Sequence, residues 1–243
     1  MLIKMREAES KIDFGRNLTE VRGKIARAAA KVGRDPEEIK LVAVSKTHPV
    51  EVLRRAIAAG ASVLGENKVQ EAEEKIDEIG RDAAEWHLIG HLQSNKARRA
   101  VELFDVIHSL DSVKLARRLE RICREENRAR LSVLVQVDLA DEETKSGVSK
   151  KDLPELIEYL KTCRHLRFEG LMILPPYFED TEKVRPFFKE LRRMRDELLE
   201  KKVFANGRGE LSMGMSHDFE AAVEEGATIV RVGTAIFGER NYF

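Results

Sequence analysis

Apolar and polar residues follow two alternating patterns along this chain of 243 residues. Short, nearly continuous apolar runs are typical of parallel strands that are buried on both faces. Between them lie segments whose apolar residues recur every three or four positions, as in amphipathic helices. The predicted strands cover residues 41–46, 62–65, 86–90, 106–109, 132–138, 167–174, 211–213 and 228–232. The predicted helices cover residues 50–59, 67–79, 95–102, 112–127, 152–163, 181–201 and 217–225.

This long strand–helix alternation predicts an α/β protein with a single (β/α)8 barrel of the TIM type. An open doubly wound sheet is the alternative. The first 33 residues predict an extra amphipathic helix ahead of the barrel, and Asp35-Pro36-Glu37-Glu38 predicts a short capped helical turn. No linker rich in proline, glycine or serine divides the chain, so we expect one domain over residues 1–243.

Composition narrows the possible partners and compartments. Basic and acidic residues number 43 each, so the formal net charge is zero and no nucleic-acid partner is expected. No stretch is apolar enough to span a bilayer, and the first residues lack the apolar region of a signal peptide. We therefore expect a cytoplasmic protein with no membrane partner. Cys123 and Cys163 are expected to be reduced thiols without a disulfide or metal role.

Lys46 is a primary amine at the carboxyl end of the first predicted strand. Barrel enzymes build their sites at the carboxyl ends of their strands. Burial disfavours the charged form of an amine, and only the neutral amine attacks an aldehyde. Schiff-base chemistry is therefore one interpretation of Lys46. The other is a lysine that ends a strand and extends to solvent.

The loops after the seventh and eighth strands carry small and hydroxylated residues, namely Ser212, Gly214, Ser216, Gly233 and Thr234. Barrels often bind phosphate with these two loops, because small residues let the anion approach backbone N–H groups. We therefore predict a phosphate site there, with ordinary turn and cap chemistry as the alternative. Ser216 is also predicted as the N-cap of the helix that follows it.

Arg231 lies between two valines in the eighth predicted strand. A buried guanidinium needs a hydrogen-bonding partner, because burying it unpaired is costly. The sequence leaves two interpretations open, a structural ion pair with Glu66 or Asp138 and a contact to a ligand.

His87 and His91 are four residues apart. On a strand this spacing separates the side chains by about 13 Å, too far for both to bind one metal ion. No metal site is predicted. We expect His91 to line the mouth of the barrel and His87 to be a core or rim histidine.

The chain resembles the YggS/PROSC family of pyridoxal phosphate (PLP) homeostasis proteins, which bind PLP. The resemblance extends from the first helix to the last residue. The segments that carry it are LVAVSKT at 41–47, GENKVQE at 65–71, WHLIGHLQSNK at 86–96, TKSG at 144–147, GLM at 170–172, LSMGMS at 211–216 and VRVGTAIFG at 230–238.

The resemblance implies a barrel like the N-terminal domain of alanine racemase, with pyridoxal 5'-phosphate as its cofactor. Lys46 matches the lysine that holds PLP as an internal aldimine, and Asn67 matches a residue that lines the pocket. Arg231 matches the arginine that faces the pyridine nitrogen, where it would weaken the ring as an electron sink. The phosphate is assigned by the same resemblance to Ser212, Met213, Gly233 and Thr234.

The resemblance implies a protein that buffers PLP or delivers it to PLP-dependent apoenzymes, without robust turnover of its own.

The alternative is a PLP-dependent amino-acid racemase or related enzyme, which needs an acid and a base on opposite faces of the substrate. In the racemases the opposing tyrosine comes from a second subunit, and a second domain helps to build the site. The chain ends soon after the eighth strand, so we expect neither, and we expect a monomer. Tyr177 is the one tyrosine predicted near the mouth, and a loop aromatic is its simpler interpretation. A third hypothesis is a barrel without PLP whose Lys46 attacks a sugar aldehyde.

Overall fold

Eight parallel strands close into a barrel, and their order around the barrel follows the order of the chain. The computed structural model describes residues 12–140 and 146–238. The strands are β1 (Lys40–Val44), β2 (Val63–Glu66), β3 (Glu85–Leu88), β4 (Val106–Leu110), β5 (Leu131–Gln136), β6 (Leu166–Met172), β7 (Glu210–Ser212) and β8 (Ile229–Val232). The predicted TIM-type (β/α)8 barrel is confirmed, and the open-sheet alternative is wrong because β1 pairs with β8.

Helices alternate with the strands and cover the outside of the barrel. They are α1 (Phe14–Lys31), α2 (Val50–Ala58), α3 (Val69–Ile79), α4 (Ala97–Leu103), α5 (Val113–Glu125), α6 (Leu153–Thr162), α7 (Arg185–Glu200), α8 (Phe219–Glu224) and α9 (Thr234–Phe237). The helix predicted over 181–201 begins later than expected, at Arg185. Pro186 follows in the first turn, where its missing N–H costs nothing.

The predicted extra helix is α1, which begins after the N-cap Asp13 and packs against α8 and α9. The part of this prediction that falls on residues 1–11 lies outside the described residues. The predicted turn is also present, because Asp35 caps a short 3-10 helix over Pro36–Glu38 through the N–H of Glu37.

The barrel interior explains why the strands read as continuous apolar runs. Each strand faces the helices on one side and the barrel axis on the other, so both faces exclude water. The interior cluster consists of Val42, Val63, Val106, Leu134, Met172 and Ile229. Because all strands are parallel, their carboxyl ends meet at one end of the barrel, where the βα loops surround a cavity. No helix within the described ranges is both long and apolar enough to cross a bilayer.

Candidate functional site

A cavity of about 550 Å³ opens at the carboxyl end of the barrel. This volume lies in the range of pockets that hold small organic ligands. Its apolar walls come from Val44, Ile89, Leu174, Pro175 and Met215. Its polar lining is Lys46, Asn67, His91, Gln136, Ser146, Ser216, His217, Arg231 and Thr234, with Gly90 and Gly233 between them.

Five of the seven residues predicted from the sequence line this cavity, namely Lys46, Asn67, Arg231, Gly233 and Thr234. Ser212 and Met213 are not among the lining residues, and both are fully buried. The hydroxyl of Ser212 is bonded to Arg231, and the N–H of Met213 donates to the carbonyl of Ile229. These two residues therefore lie behind the cavity lining, and Ser212 contacts that lining through Arg231.

Ionic side chains of β2 and α3 fix the backbone on both sides of Lys46. On the amino side, Ser45 Oγ donates a 2.6 Å hydrogen bond to Glu66 Oε1, and the Ser45 carbonyl accepts a 2.9 Å bond from Lys75 Nζ. On the other side, the N–H of Thr47 donates to Glu71 Oε1, and Thr47 has a φ of 69°. This left-handed conformation is strained for a β-branched residue and persists only where its surroundings hold it.

Lys75 joins the two carboxylates of this cluster. Its Nζ lies 2.7 Å from Glu66 Oε1 and 2.7 Å from Glu71 Oε1, and its side chain is only 5% exposed. Burial raises the pKa of Glu66, although Lys75 and Ser45 oppose that effect. Burial also acts to raise the pKa of Glu71, but hydrogen bonds from Lys75 and from the Thr47 backbone outweigh it and lower that pKa.

The sequence prediction missed Glu71 and Lys75. Their only signal is a spacing of four residues on a helix, which is usual for an exposed ion pair. Lys75 is buried and Glu71 is half-buried because α3 packs against the loop that carries Lys46.

Arg231 reaches the cavity from β8 and is only 2% exposed. Its two terminal nitrogens donate to Ser212 Oγ at 2.6 Å and to the carbonyl of Ile173 at 2.8 Å. Burial lowers the pKa of Arg231 to about 10, and only the charge of Asp218 opposes this effect.

The structural ion pair considered for Arg231 is absent from the described residues. Glu66 is instead bound to Lys75, and no carboxylate of the described part forms a salt bridge with Arg231. That interpretation of Arg231 is wrong. The side chain lies at the cavity as a cation that neutral acceptors hold in place.

A hydroxyl ties together the two loops predicted to bind phosphate. Ser216 Oγ, after β7, accepts a 3.0 Å hydrogen bond from the N–H of Gly233, after β8. Ser216 was predicted to be a helix N-cap, and that prediction is wrong. The helix α8 begins at Phe219, and Asp218 occupies the N-cap, where its Oδ1 accepts the N–H of Met215 at 2.6 Å. The Ser216 hydroxyl therefore connects the loop after β7 to the loop after β8.

The histidines fall where the strand pattern placed them. His91 lines the cavity, with Nδ1 3.2 Å from Asp111 Oδ2. His87 is fully buried and hydrogen-bonded to His108 and Glu85, which confirms it as a core histidine. Within the described ranges, no group of three or more potential ligand side chains could hold a metal ion.

His217 is a cavity residue that the sequence did not indicate. Its ring packs against Tyr177, with 5.3 Å between the ring centroids, and its Nε2 lies 3.1 Å from the carbonyl of Glu179. Tyr177 itself is 71% exposed and is not among the lining residues. Tyr177 therefore lies on the rim, as a loop aromatic.

Asn67 is held against the loop after β3 by a close approach of two backbones. A Cβ atom at Gly90 would lie 2.3 Å from the carbonyl oxygen of Asn67 and 2.8 Å from its Cα. Real Cβ atoms do not approach backbone this closely, so only glycine allows the two loops to meet here.

Residues 17–241 match the family model of the alanine racemase N-terminal domain. The chain is 44% identical to the pyridoxal phosphate homeostasis protein of Aquifex aeolicus over 225 residues, covering 93% of this chain and 97% of that protein. It is also 44% identical to the protein of the same name from Escherichia coli K12, covering 95% and 98%. Among solved structures, PipY from Synechococcus elongatus with PLP bound is similar, with a TM-score of 0.81 and 39% identity over 93% of this chain and 100% of that one.

Proposed function

The chain belongs to the alanine racemase N-terminal domain family and, within it, to the pyridoxal phosphate homeostasis proteins, and from this premise we propose that it binds PLP and takes part in PLP homeostasis. One observation carries the proposal. A lysine amine, a buried arginine and two joined loops of small residues line a single cavity at the carboxyl end of the barrel.

The lining residues fit the three polar parts of PLP. PLP supplies an aldehyde, which forms a C=N bond with a primary amine as water is lost, and Lys46 is the lysine among the lining residues. Glu66, Glu71 and Lys75 form a clamp around Ser45 and Thr47. This clamp fixes the backbone from which the amine extends. The apolar side chains of Val44 and Ile89 suit the flat faces of the ring.

The other polar contacts follow from the same arrangement. Arg231 carries only N–H donors, so opposite the pyridine nitrogen it would keep that nitrogen unprotonated. Gly233 and Thr234 are proposed to hold the phosphate, and the buried Ser212 and Met213 are bonded to the strand β8 that precedes them. Asn67 is proposed as a wall of the pocket.

We further propose a carrier that delivers PLP to PLP-dependent apoenzymes without robust turnover. Its support is the name shared by relatives that match nearly the full length of the chain.

One structural observation favours the racemase alternative, because His91 and His217 line the cavity and could act as acids or bases. Tyr177, the one tyrosine predicted near the mouth, does not favour it, since this side chain lies on the rim. A single domain over residues 1–243, a monomeric state and a cytoplasmic location are part of the same proposal.

Absorbance and chemical trapping test PLP binding directly. The purified protein incubated with PLP should turn yellow, and borohydride reduction followed by peptide mapping should place a pyridoxyl group on Lys46. Lys46→Ala should lose both signals, while Lys68→Ala, at an exposed lysine in the loop after β2, should keep them. An adduct on another lysine, or none at all, would contradict the proposal. Sustained racemisation of an amino acid that is lost in Lys46→Ala would favour the racemase instead.

A further inference from the structure

A chain of hydrogen bonds crosses the barrel interior from its amino end to the cavity. It begins at Glu85, the first residue of β3, whose Oε1 lies 2.9 Å from His87 Nε2. His87 Nδ1 lies 2.8 Å from His108 Nε2, and His108 Nδ1 lies 2.9 Å from Ser212 Oγ. Ser212 Oγ accepts the 2.6 Å bond from Arg231. Four strands contribute to this chain, and both imidazoles and the serine are fully buried.

The acceptor Glu85 and the neutral form of both imidazole rings together determine the direction of every bond between Glu85 and Ser212. Arg231 can only donate, and an ionised Glu85 can only accept. Glu85 is ionised at neutral pH, because the hydrogen bond from His87, followed by that from Lys40, lowers its pKa to about 2. His87 must therefore donate from Nε2 to Glu85, which leaves its Nδ1 as an acceptor when the ring is neutral.

The remaining protons follow in order. His108 donates from Nε2 to His87, so its Nδ1 accepts a hydrogen bond from the Ser212 hydroxyl. The Ser212 oxygen in turn accepts the N–H of Arg231. In this arrangement each ring N–H and the Ser212 hydroxyl has an acceptor. In the reversed chain His87 would be a buried cation, and Ser212 would accept from both His108 and Arg231 and lack an acceptor for its own proton. Burial lowers the pKa of both His87 and His108, which favours the neutral rings.

We propose that Glu85 is the remote counter-charge of Arg231 and that His87, His108 and Ser212 are positioning residues that transmit it through the barrel. Each dipole in the chain presents its negative end towards the guanidinium, and aligned hydrogen bonds strengthen one another. The arrangement stabilises and orients a buried cation that has no salt-bridge partner among the described residues. Its consequence for the cofactor rests on the proposed function, because Arg231 is the end that faces the ligand.

Asp218 is the charge that acts on Arg231 directly, whereas Glu85 acts in this proposal only through the hydrogen-bonded chain. Asp218 stabilises Arg231 electrostatically, but it does so without a salt bridge, and its Oδ1 is bound to the N–H of Met215. At the opposite end, Lys40 Nζ lies 2.8 Å from Glu85 Oε1 and holds that carboxylate at the amino end of the barrel. The negative charge of Glu85 therefore lies outside the core. The hydrogen-bonded side chains between Glu85 and Arg231 transmit its electrostatic effect to the guanidinium.

Histidine NMR of the unliganded protein tests the direction of the chain without any cofactor. In protein labelled with nitrogen-15 at histidine, His87 and His108 should both be neutral with the proton on Nε2 at pH 7. The variants His87→Gln and His108→Leu assign the signals. A proton on Nδ1 of either ring, or a cationic ring, would overturn the proposed chain.

PLP titration of variants tests whether the chain acts through Arg231. His108→Leu should weaken PLP binding about fivefold, which corresponds to one hydrogen bond. In an Arg231→Leu background, the same His108→Leu substitution should change PLP affinity by less than about twofold, because coupled residues are not additive. An equal loss in both backgrounds would mean that His108 acts only through general stability, and the proposal would fail.

Leu134→Ala is the matched control, because Leu134 is a buried residue of the barrel interior outside the hydrogen-bonded chain. It should lower the denaturation midpoint while PLP affinity stays within about twofold, since its cost is a core cavity. A fivefold loss of affinity in this control would overturn the assignment to the chain. If the unsubstituted protein bound no PLP, the proposed function would fail, and the histidine protons alone would decide whether the chain runs as described.

Discussion

The Nζ atom of Lys75 donates a 2.9 Å hydrogen bond to the backbone carbonyl of Ser45, the residue immediately before Lys46. The same ammonium group holds Glu66, which binds the Ser45 hydroxyl, and Glu71, which binds the Thr47 N–H. A buried lysine that lies outside the cavity lining thus determines the backbone geometry of the lysine that lies within it.

Lys75→Met should destabilise the protein by about 3–5 kcal/mol, because it leaves the buried carboxylate of Glu66 and the half-buried one of Glu71 without their cation. Urea unfolding with a linear extrapolation measures the loss. Adding Glu66→Gln should recover part of it, since the remaining side chain at that position is then uncharged. Lys68→Met is the exposed control and should change stability by less than about 0.5 kcal/mol. A Lys75→Met protein as stable as the unsubstituted one would contradict the role assigned to the clamp.

The buried pair His87 and His108 predicts a loss of stability as the pH falls. Burial lowers the pKa of both rings, so below the ordinary value of 6.5 the unfolded chain binds more protons than the folded one. Stability is therefore complete above about pH 6.5 and falls below it, by at most about 1.4 kcal/mol per pH unit for each histidine, until the folded-state pKa of that ring is reached.

Unfolding measured between pH 7 and 5 tests this slope. His108→Leu should reduce the slope of stability against pH by the contribution of one histidine. This holds whatever the effect of the substitution on stability at pH 7. An unchanged slope in that variant would show that His108 does not gain a proton on unfolding.

Glu85 predicts a second loss of stability at lower pH. Its pKa is lowered to about 2 from 4.5, so its contribution is complete above about pH 4.5 and disappears as the pH falls towards 2. The side chain is 36% exposed, and with solvent screening the contribution is on the order of 1–2 kcal/mol. Glu85→Gln should show a flatter stability profile between pH 5 and 3 in thermal unfolding. A profile as steep as that of the unsubstituted protein would contradict this.

Gly90 and Gly23 should respond to alanine in opposite directions. At Gly90 the new Cβ would collide with the backbone of Asn67, so Gly90→Ala should cost about 1–3 kcal/mol and displace a cavity wall. At Gly23, inside α1, the nearest atom is 3.4 Å away on the flexible side chain of Arg27. Gly23→Ala should therefore stabilise the protein by about 0.5–1 kcal/mol. Denaturation midpoints of the two variants check both signs, and equal shifts would contradict the close approach.

The amino-acid sequence by itself determined the barrel and the end at which its cavity lies. Strands buried on both faces must be apolar throughout, so they are visible as short runs even though their ends were predicted with errors of a few residues. Parallel strands bring their carboxyl ends together, and this local rule, together with the family resemblance, grouped Lys46, Asn67, Arg231, Gly233 and Thr234 around one cavity.

Only the tertiary structure decided what lies behind that lining. Glu71 and Lys75 have the spacing of an exposed helical ion pair, and only the packing of α3 buries Lys75 and half-buries Glu71 beside the loop of Lys46. Asp218, and not the predicted Ser216, is the N-cap of α8, and Ser216 instead joins two loops. His108 and Ser212 are 104 positions apart and become neighbours only when the barrel closes. Residue patterns report the local periodicity of burial, whereas contacts across a closed barrel depend on the three-dimensional path of the whole chain.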